Sequence, residues 1–314
     1  MQRFALAMLV MQVMLVMQPA VGTARAAEPV RVLPSETDPR IREFDEPHLA
    51  WLPDGHQRGQ LLVFLPGTGG KPEKGQFQRF ASTAAEVGYH VVALMYPDNI
   101  AAQVHCARST DPDAYTKFRT AILTGGPIGP HRTVEPPDSI ENRLEKLLVR
   151  LDVTQPGRGW GDFLTPEQAV KWPRIAVAGH SQGGGHAYML GKNHELARVV
   201  MFGSPKDYSF HFQAPAKGLD GSTRTPLTRF YAYNHVRDDE NGCTHEQQRQ
   251  ILDRIGLPAL GVADVDHADL TQSHAHVLYT NADVPSGRFH GSVVSSGLPI
   301  NPTVWKYMLT APVD

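Results

Sequence analysis

The chain has 314 residues, a formal net charge of -2, a pI near 6.7 and a hydrophobic fraction of 41%. That is enough apolar material for a substantial core, which argues against a disordered chain. Its basic residues are scattered rather than gathered into a stripe, so neither nucleic acid nor an anionic membrane surface is an expected partner.

From the N-terminus, Arg3 precedes an apolar run from Phe4 to Met17, followed by Gln18-Pro19 and the small-residue triplet Ala24-Arg25-Ala26. The pattern predicts a secretory signal peptide over residues 1–26, one domain over 27–314, and a periplasmic or secreted mature protein. No later segment approaches the apolar length of a membrane span, so the mature chain is expected to carry no transmembrane segment. Ile41 to Phe44 and His48 to Trp51 are strand-like pieces around Asp45-Glu46-Pro47, which predicts an N-terminal hairpin at a sheet edge.

Gln60 to Leu65 then predicts a buried strand ending in Pro66-Gly67-Thr68-Gly69-Gly70. Helical spacing over Gln76 to Val87, closed by Gly88, followed by the apolar run His90 to Met95, completes a βαβ unit. Residues 97–137 are dense in Pro, Gly, Asp and Thr and read as a long loop insertion. Ser139 to Leu151 resumes helical spacing. Thr165-Pro166-Glu167 predicts the start of a brief helix reaching about Trp172.

Ile175 to Ala178 is a short apolar run that stops at Gly179-His180-Ser181-Gln182-Gly183, after which Gly185 to Lys192 is helix-like. A serine between strand and helix, bracketed by glycines, is the pattern of a nucleophile elbow. The glycines are needed because strand and helix pack too closely there for side chains, and the serine backbone must be strained to lift its hydroxyl clear of the sheet. Further strands are predicted at Arg198 to Phe202, Arg229 to Asn234 and Ala275 to Tyr279. Helices are predicted at His245 to Ile255 and Thr303 to Leu309.

With the elbow, the glycine-rich loop after Leu65 and the downstream acid and histidine, the chain from about Gln60 onward resembles the α/β-hydrolase superfamily. The resemblance implies a mostly parallel sheet flanked by helices, and a catalytic set in the order Ser181, Asp238, His290. A serine hydroxyl needs a base to remove its proton, and an imidazole titrating near neutrality can take that proton and return it to a leaving group. Asp238 stands a few residues past its strand, as the superfamily's acid does. Asp239 is the runner-up and Glu240 a distant third. His290 follows the last strand, whereas its rival His267 precedes it. The resemblance also implies an oxyanion hole from the backbone N–H of Gln182 and that of Thr68, with Gly69 as the alternative.

Only two cysteines occur, Cys106 and Cys243. In the superfamily's sheet order their loops lie within reach of one another, which predicts a disulfide that draws the 97–137 loop over the serine as a roof. No cofactor is expected. A metal is not expected either, although Asp264-Val265-Asp266-His267-Ala268-Asp269 and His274-Ala275-His276 concentrate ligand types. The expected activity is hydrolysis of a small or polymeric carboxylic ester through an acyl-enzyme. Alternatives are a peptidase or acyltransferase on the same triad, and a non-catalytic binding protein on the same fold.

Overall fold

The structure is a computed structural model and describes residues 28–129, 131–240 and 242–313. The signal peptide predicted over residues 1–26 therefore lies outside the described residues.

Among the described residues nine strands form the central sheet: β1 Val30–Val32, β2 His48–Trp51, β3 Leu61–Leu65, β4 His90–Ala93, β5 Ile175–His180, β6 Arg198–Phe202, β7 Phe230–His235, β8 Val262–Asp264 and β9 Val277–Thr280. Their order across the sheet is β1-β2-β4-β3-β5-β6-β7-β9-β8. All pairs from β4 to β8 are parallel, and β2 runs antiparallel to both its neighbours. The central strands are apolar on both faces, as they must be when helices cover both. Leu61, Val63 and Leu65 point into one core while Leu62 and Phe64 point into the other, as the two-residue period of a strand requires.

On the first face lie α2 Ala114–Thr124, α3 Ile140–Thr154, α4 Gln182–Asn193 and α5 His245–Ile255. On the second lie α1 Gln78–Glu86 and α6 Asn301–Thr310. Helix α3 buries Ile140, Leu144, Leu147, Leu148 and Leu151, one stripe at helical spacing. Helix α5 opens on a capping box between Thr244 and Gln247. Among the described residues no helix is long and apolar enough to cross a membrane.

Four sequence expectations are corrected. The antiparallel partner of β2 is Val30–Val32 and not residues 41–44. That segment is held out of the sheet by a buried ion pair: the Asp138 carboxylate accepts the Arg42 and Glu43 N–H groups at 3.2 Å, and Arg143 donates to Phe44 O at 3.0 Å. Second, residues 97–137 are not a long loop. They hold a short helix Ala102–Cys106, α2, and a two-stranded hairpin of Gly126–Gly129 with Arg132–Val134.

Helix α2 sends Tyr115, Phe118, Ala121 and Ile122 into the core beside α3 and α4, so this part of the segment is built into the body, while its start, at Ala101 and Gln103, lines the cavity that Ser181 also lines. Its inward stripe is interrupted by Arg119, which counts as polar in the sequence yet is buried against Asp207. Third, Thr165 begins a tight reversal rather than a helix. Its N–H donates to Ala169 O at 2.8 Å across Gln168, which has φ +64°. Fourth, Cys106 and Cys243 are buried free thiols with no disulfide between them, and burial pushes each up to about 12.

Candidate active site

The C-terminal ends of β3, β5, β7 and β9 converge on one edge of the sheet, where ligands of open α/β sheets bind. Ser181 follows β5 at φ +56° and ψ -119°, a backbone strain that turns its side chain out of the strand before α4 begins. Close packing sets the glycines around it. A methyl on Gly183 would collide with the Leu65 carbonyl, and one on Gly179 with the Gly183 backbone. Ser181 is thus fixed by a junction that admits no side chains.

His290 lies on the segment after β9, and its Nδ1 is 2.7 Å from Asp238 Oδ2. The Asp238 carboxylate is fully buried and saturated: Oδ2 also accepts Gln248 Nε2 at 3.0 Å, and Oδ1 accepts Lys206 Nζ at 3.0 Å and the Glu240 N–H at 3.2 Å. Burial alone would raise its pKa. The hydrogen bond and charge of His290, the charge of Lys206 and the Gln248 amide outweigh burial and hold it below the usual carboxylate range. An ionised Asp238 fixes the proton of a neutral His290 ring on Nδ1, leaving Nε2 with a free lone pair. Nε2 is buried with no hydrogen-bond partner, and His290 and Ser181 line the same cavity.

The structure therefore brings Asp238 and His290 together and sets Ser181 beside them. The runner-up acids have other employment. Asp239 accepts the His245 N–H at the start of α5, and Glu240 accepts the His290 N–H at 3.2 Å. His267 is far more exposed and pairs with Asp264 in a surface turn.

On the oxyanion side, Gly69 N–H donates to Asp98 O at 3.0 Å, which leaves Thr68 as the candidate donor of that loop. Gln182 ties the two sides of the mouth together: its side-chain carbonyl accepts the Thr68 hydroxyl at 3.2 Å and the Ala102 N–H at 2.9 Å. Its own backbone carbonyl accepts Arg119 Nη1 at 3.0 Å, while Arg119 Nε donates to Asp207 at 2.7 Å. The N-terminus of α4 adds partial positive charge at the Gln182 N–H.

The carboxylates of the 264–269 stretch are engaged within the chain. Asp266 accepts the Thr280 hydroxyl at 2.7 Å and the Asn281 N–H at 2.6 Å, and Asp269 accepts the Thr271 hydroxyl at 2.7 Å. Among the described residues no group of His, Cys, Asp and Glu is placed to hold a metal.

The sheet order, the strained serine at the end of β5, the acid after β7 and the histidine after β9 together decide the fold. The chain has the α/β-hydrolase fold. No protein-family model matches it, and no curated protein does. Among solved structures it is similar to TT1662 from Thermus thermophilus at 16% identity, covering 92% of this chain and all of that one, with a TM-score of 0.45. It is similar to an alpha-beta serine hydrolase homologue from Coxiella burnetii at 12% identity, over 91% of this chain and 96% of that one, with a TM-score of 0.45. Esterase 2 of Thermogutta terrifontis, phosphonylated by cyclosarin, matches at 12% identity over 90% and 92%, with a TM-score of 0.47. The reading of the site rests on its own geometry.

Three further side chains take part that the sequence reading did not assign. His180, inside the elbow, donates from Nε2 to His290 O at 3.1 Å, and its ring lies 4.5 Å from the His290 ring. Burial first, then the neighbouring His290, push it down to about 3, so it stays neutral and can only position. Lys206 is buried against Asp238, and Gln248 reaches the same carboxylate from α5. A position just past the end of β6 is the one sequence signal for Lys206.

Proposed function

We propose that this chain is an exported serine hydrolase that cleaves carboxylic esters through an acyl-enzyme, with Ser181 as nucleophile, His290 as base and Asp238 as its orienting acid. The observation that carries the reading is the partnerless, buried Nε2 of His290 in the cavity that also holds the strained Ser181, with Nδ1 committed to Asp238. What sets this nitrogen apart from the other orphan histidine nitrogens is its place in the cavity that Ser181 also lines.

In the proposed reaction Nε2 takes the Ser181 proton as Oγ attacks the carbonyl carbon. Negative charge gathers on the carbonyl oxygen, where the N–H groups of Gln182 and Thr68 stabilise it without reorganising. Collapse breaks the C–O bond, and the Nε2 proton goes to the departing alcohol. Water then repeats the sequence on the acyl-enzyme and releases the acid. His180 keeps the His290 backbone in place, and Lys206 balances the charge of Asp238.

The cavity beside Ser181 holds about 650 Å³, room for a small-molecule ester.

Labelling with a fluorescent fluorophosphonate tests the reading. Wild type is expected to label stoichiometrically, and Ser181→Ala and His290→Ala are expected not to label. A folded wild type that stays unlabelled, or labelling that survives Ser181→Ala, would refute it. Export is tested separately by N-terminal sequencing of the protein from culture fluid or periplasm, where a start near Ala27 is expected.

A further inference from the structure

One wall of the cavity is built by residues 66–71 and 74–77, which continue directly from the oxyanion loop. This wall is cationic. Lys71 and Lys74 both line the cavity, and among the described residues no aspartate or glutamate does. Lys71 is partly neutralised by Glu46. The neighbouring Glu73 pairs with Arg31, and no described carboxylate pairs with Lys74.

The rest of the lining supplies little to offset that charge. Phe64, Phe77 and Val294 are apolar, Gln76 and Gln103 are neutral, and the α4 N-terminus adds further positive character beside Ser181. A cleft lined by one sign of charge with apolar walls concentrates ligands of the other sign. The wall is not forced to be cationic by packing, because the Lys74 side chain is exposed and no described carboxylate pairs with it.

On the hydrolase reading above, we propose that the substrates are esters that themselves carry an anion, a carboxylate or phosphate on the acyl or alcohol part, held by Lys74 and Lys71 while the ester carbonyl meets Ser181. The reaction is ordinary hydrolysis. The serine oxygen displaces the alkoxy oxygen from the carbonyl carbon, and the alcohol leaves with the proton from His290. Water then displaces the serine oxygen, so an anionic ester and water give a free alcohol and a carboxylic acid, one of which keeps the original anion.

The test compares mono-4-nitrophenyl glutarate with 4-nitrophenyl pentanoate, and 4-acetoxybenzoate with its methyl ester, for wild type, Lys74→Ala and Lys74→Glu. These pairs put the anion on the acyl side and the alcohol side in turn. In at least one pair, wild type is expected to favour the anionic member in kcat/KM by three- to tenfold at low salt, with the preference shrinking in 0.5 M NaCl. Lys74→Ala should lower kcat/KM for that anionic ester three- to tenfold more than for its neutral partner, and Lys74→Glu should invert the preference. A wild type that labels with fluorophosphonate yet shows no anionic preference in either pair overturns this proposal alone. So does a preference that Lys74→Glu leaves unchanged. Absence of both labelling and turnover takes down the hydrolase reading and this proposal with it.

Discussion

Replacing Lys206 with methionine removes a buried ammonium from the carboxylate that orients His290. Lys206 Nζ and His290 Nδ1 sit on opposite oxygens of Asp238, at 3.0 and 2.7 Å. The two cationic centres are therefore roughly 5–6 Å apart once the imidazolium forms, and at an effective dielectric of about 20 their repulsion is on the order of 3 kcal/mol. The repulsion disfavours the imidazolium that forms as Ser181 is deprotonated. Without the charge at position 206 that repulsion is gone, so, after allowance for water entering the vacated site, kcat/KM is expected to be about tenfold higher in Lys206→Met than in Lys206→Arg, which keeps the cation.

The same substitution removes one partner of a buried pair, which costs about 3–5 kcal/mol when the other charge is left alone. Gln248 and the Glu240 N–H still solvate Asp238, so the lower end applies, and a fall of about 5 °C in Tm is expected. The assay is kcat/KM on a soluble ester, run well below the variant's melting temperature, for wild type, Lys206→Met and Lys206→Arg. Values for Lys206→Met and Lys206→Arg within about twofold of one another, in protein that still labels, would refute the electrostatic reasoning and leave Lys206 a packing residue.

Three further outcomes are expected. Burial pushes Asp98 up to about 7, with the amides of Asp98 and Gly70 pulling the other way. Between its ordinary value and about 7 the native state holds a proton that the unfolded chain has lost, so this group erodes stability as pH rises through that window, by about 4 kcal/mol in full. Asp98→Asn should therefore raise Tm relative to wild type at pH 8 and lose most of that advantage at pH 5. An equal gain at both pH values would contradict it. His180→Ala should cut kcat at least tenfold with KM little changed, because the lost hydrogen bond frees the His290 backbone. Full activity would show that Asp238 suffices to hold the ring. Gly183→Ala should give insoluble or strongly destabilised protein, and a soluble, labelling variant would mean that the elbow yields to a methyl group.

How much of this was legible in the sequence depended on whether the signal was local. The elbow, the buried strands and α3 were readable because their residues declare their roles within a few positions: glycines around Ser181, apolar runs such as Leu61 to Leu65, a leucine stripe from Ile140 to Leu151. Asp238 and His290 were found by their order and by the strands before them, and the structure does bring them together.

Several of the failures come from partners distant in sequence. Arg119 and Asp207 are 88 residues apart, and without that pairing α2 looks like a polar stretch among prolines and glycines. The 41–44 segment was drawn away from the sheet by Asp138 and Arg143, about a hundred residues downstream. Strand β8 has an exposed edge and only three residues, too few for a period to show. Lys206 followed no motif, because its role is set by a carboxylate that reaches it from another strand.

The packing of α2 into the core has a consequence for turnover. A cover that must swing aside makes an enzyme wait for an oil–water boundary, where an apolar underside can be turned outward; such an enzyme quickens abruptly as its substrate begins to form micelles. Here Tyr115, Phe118 and Ile122 are buried in the core and have no underside to show. Rate against concentration should therefore follow one smooth saturation curve through the solubility limit of a short-chain ester.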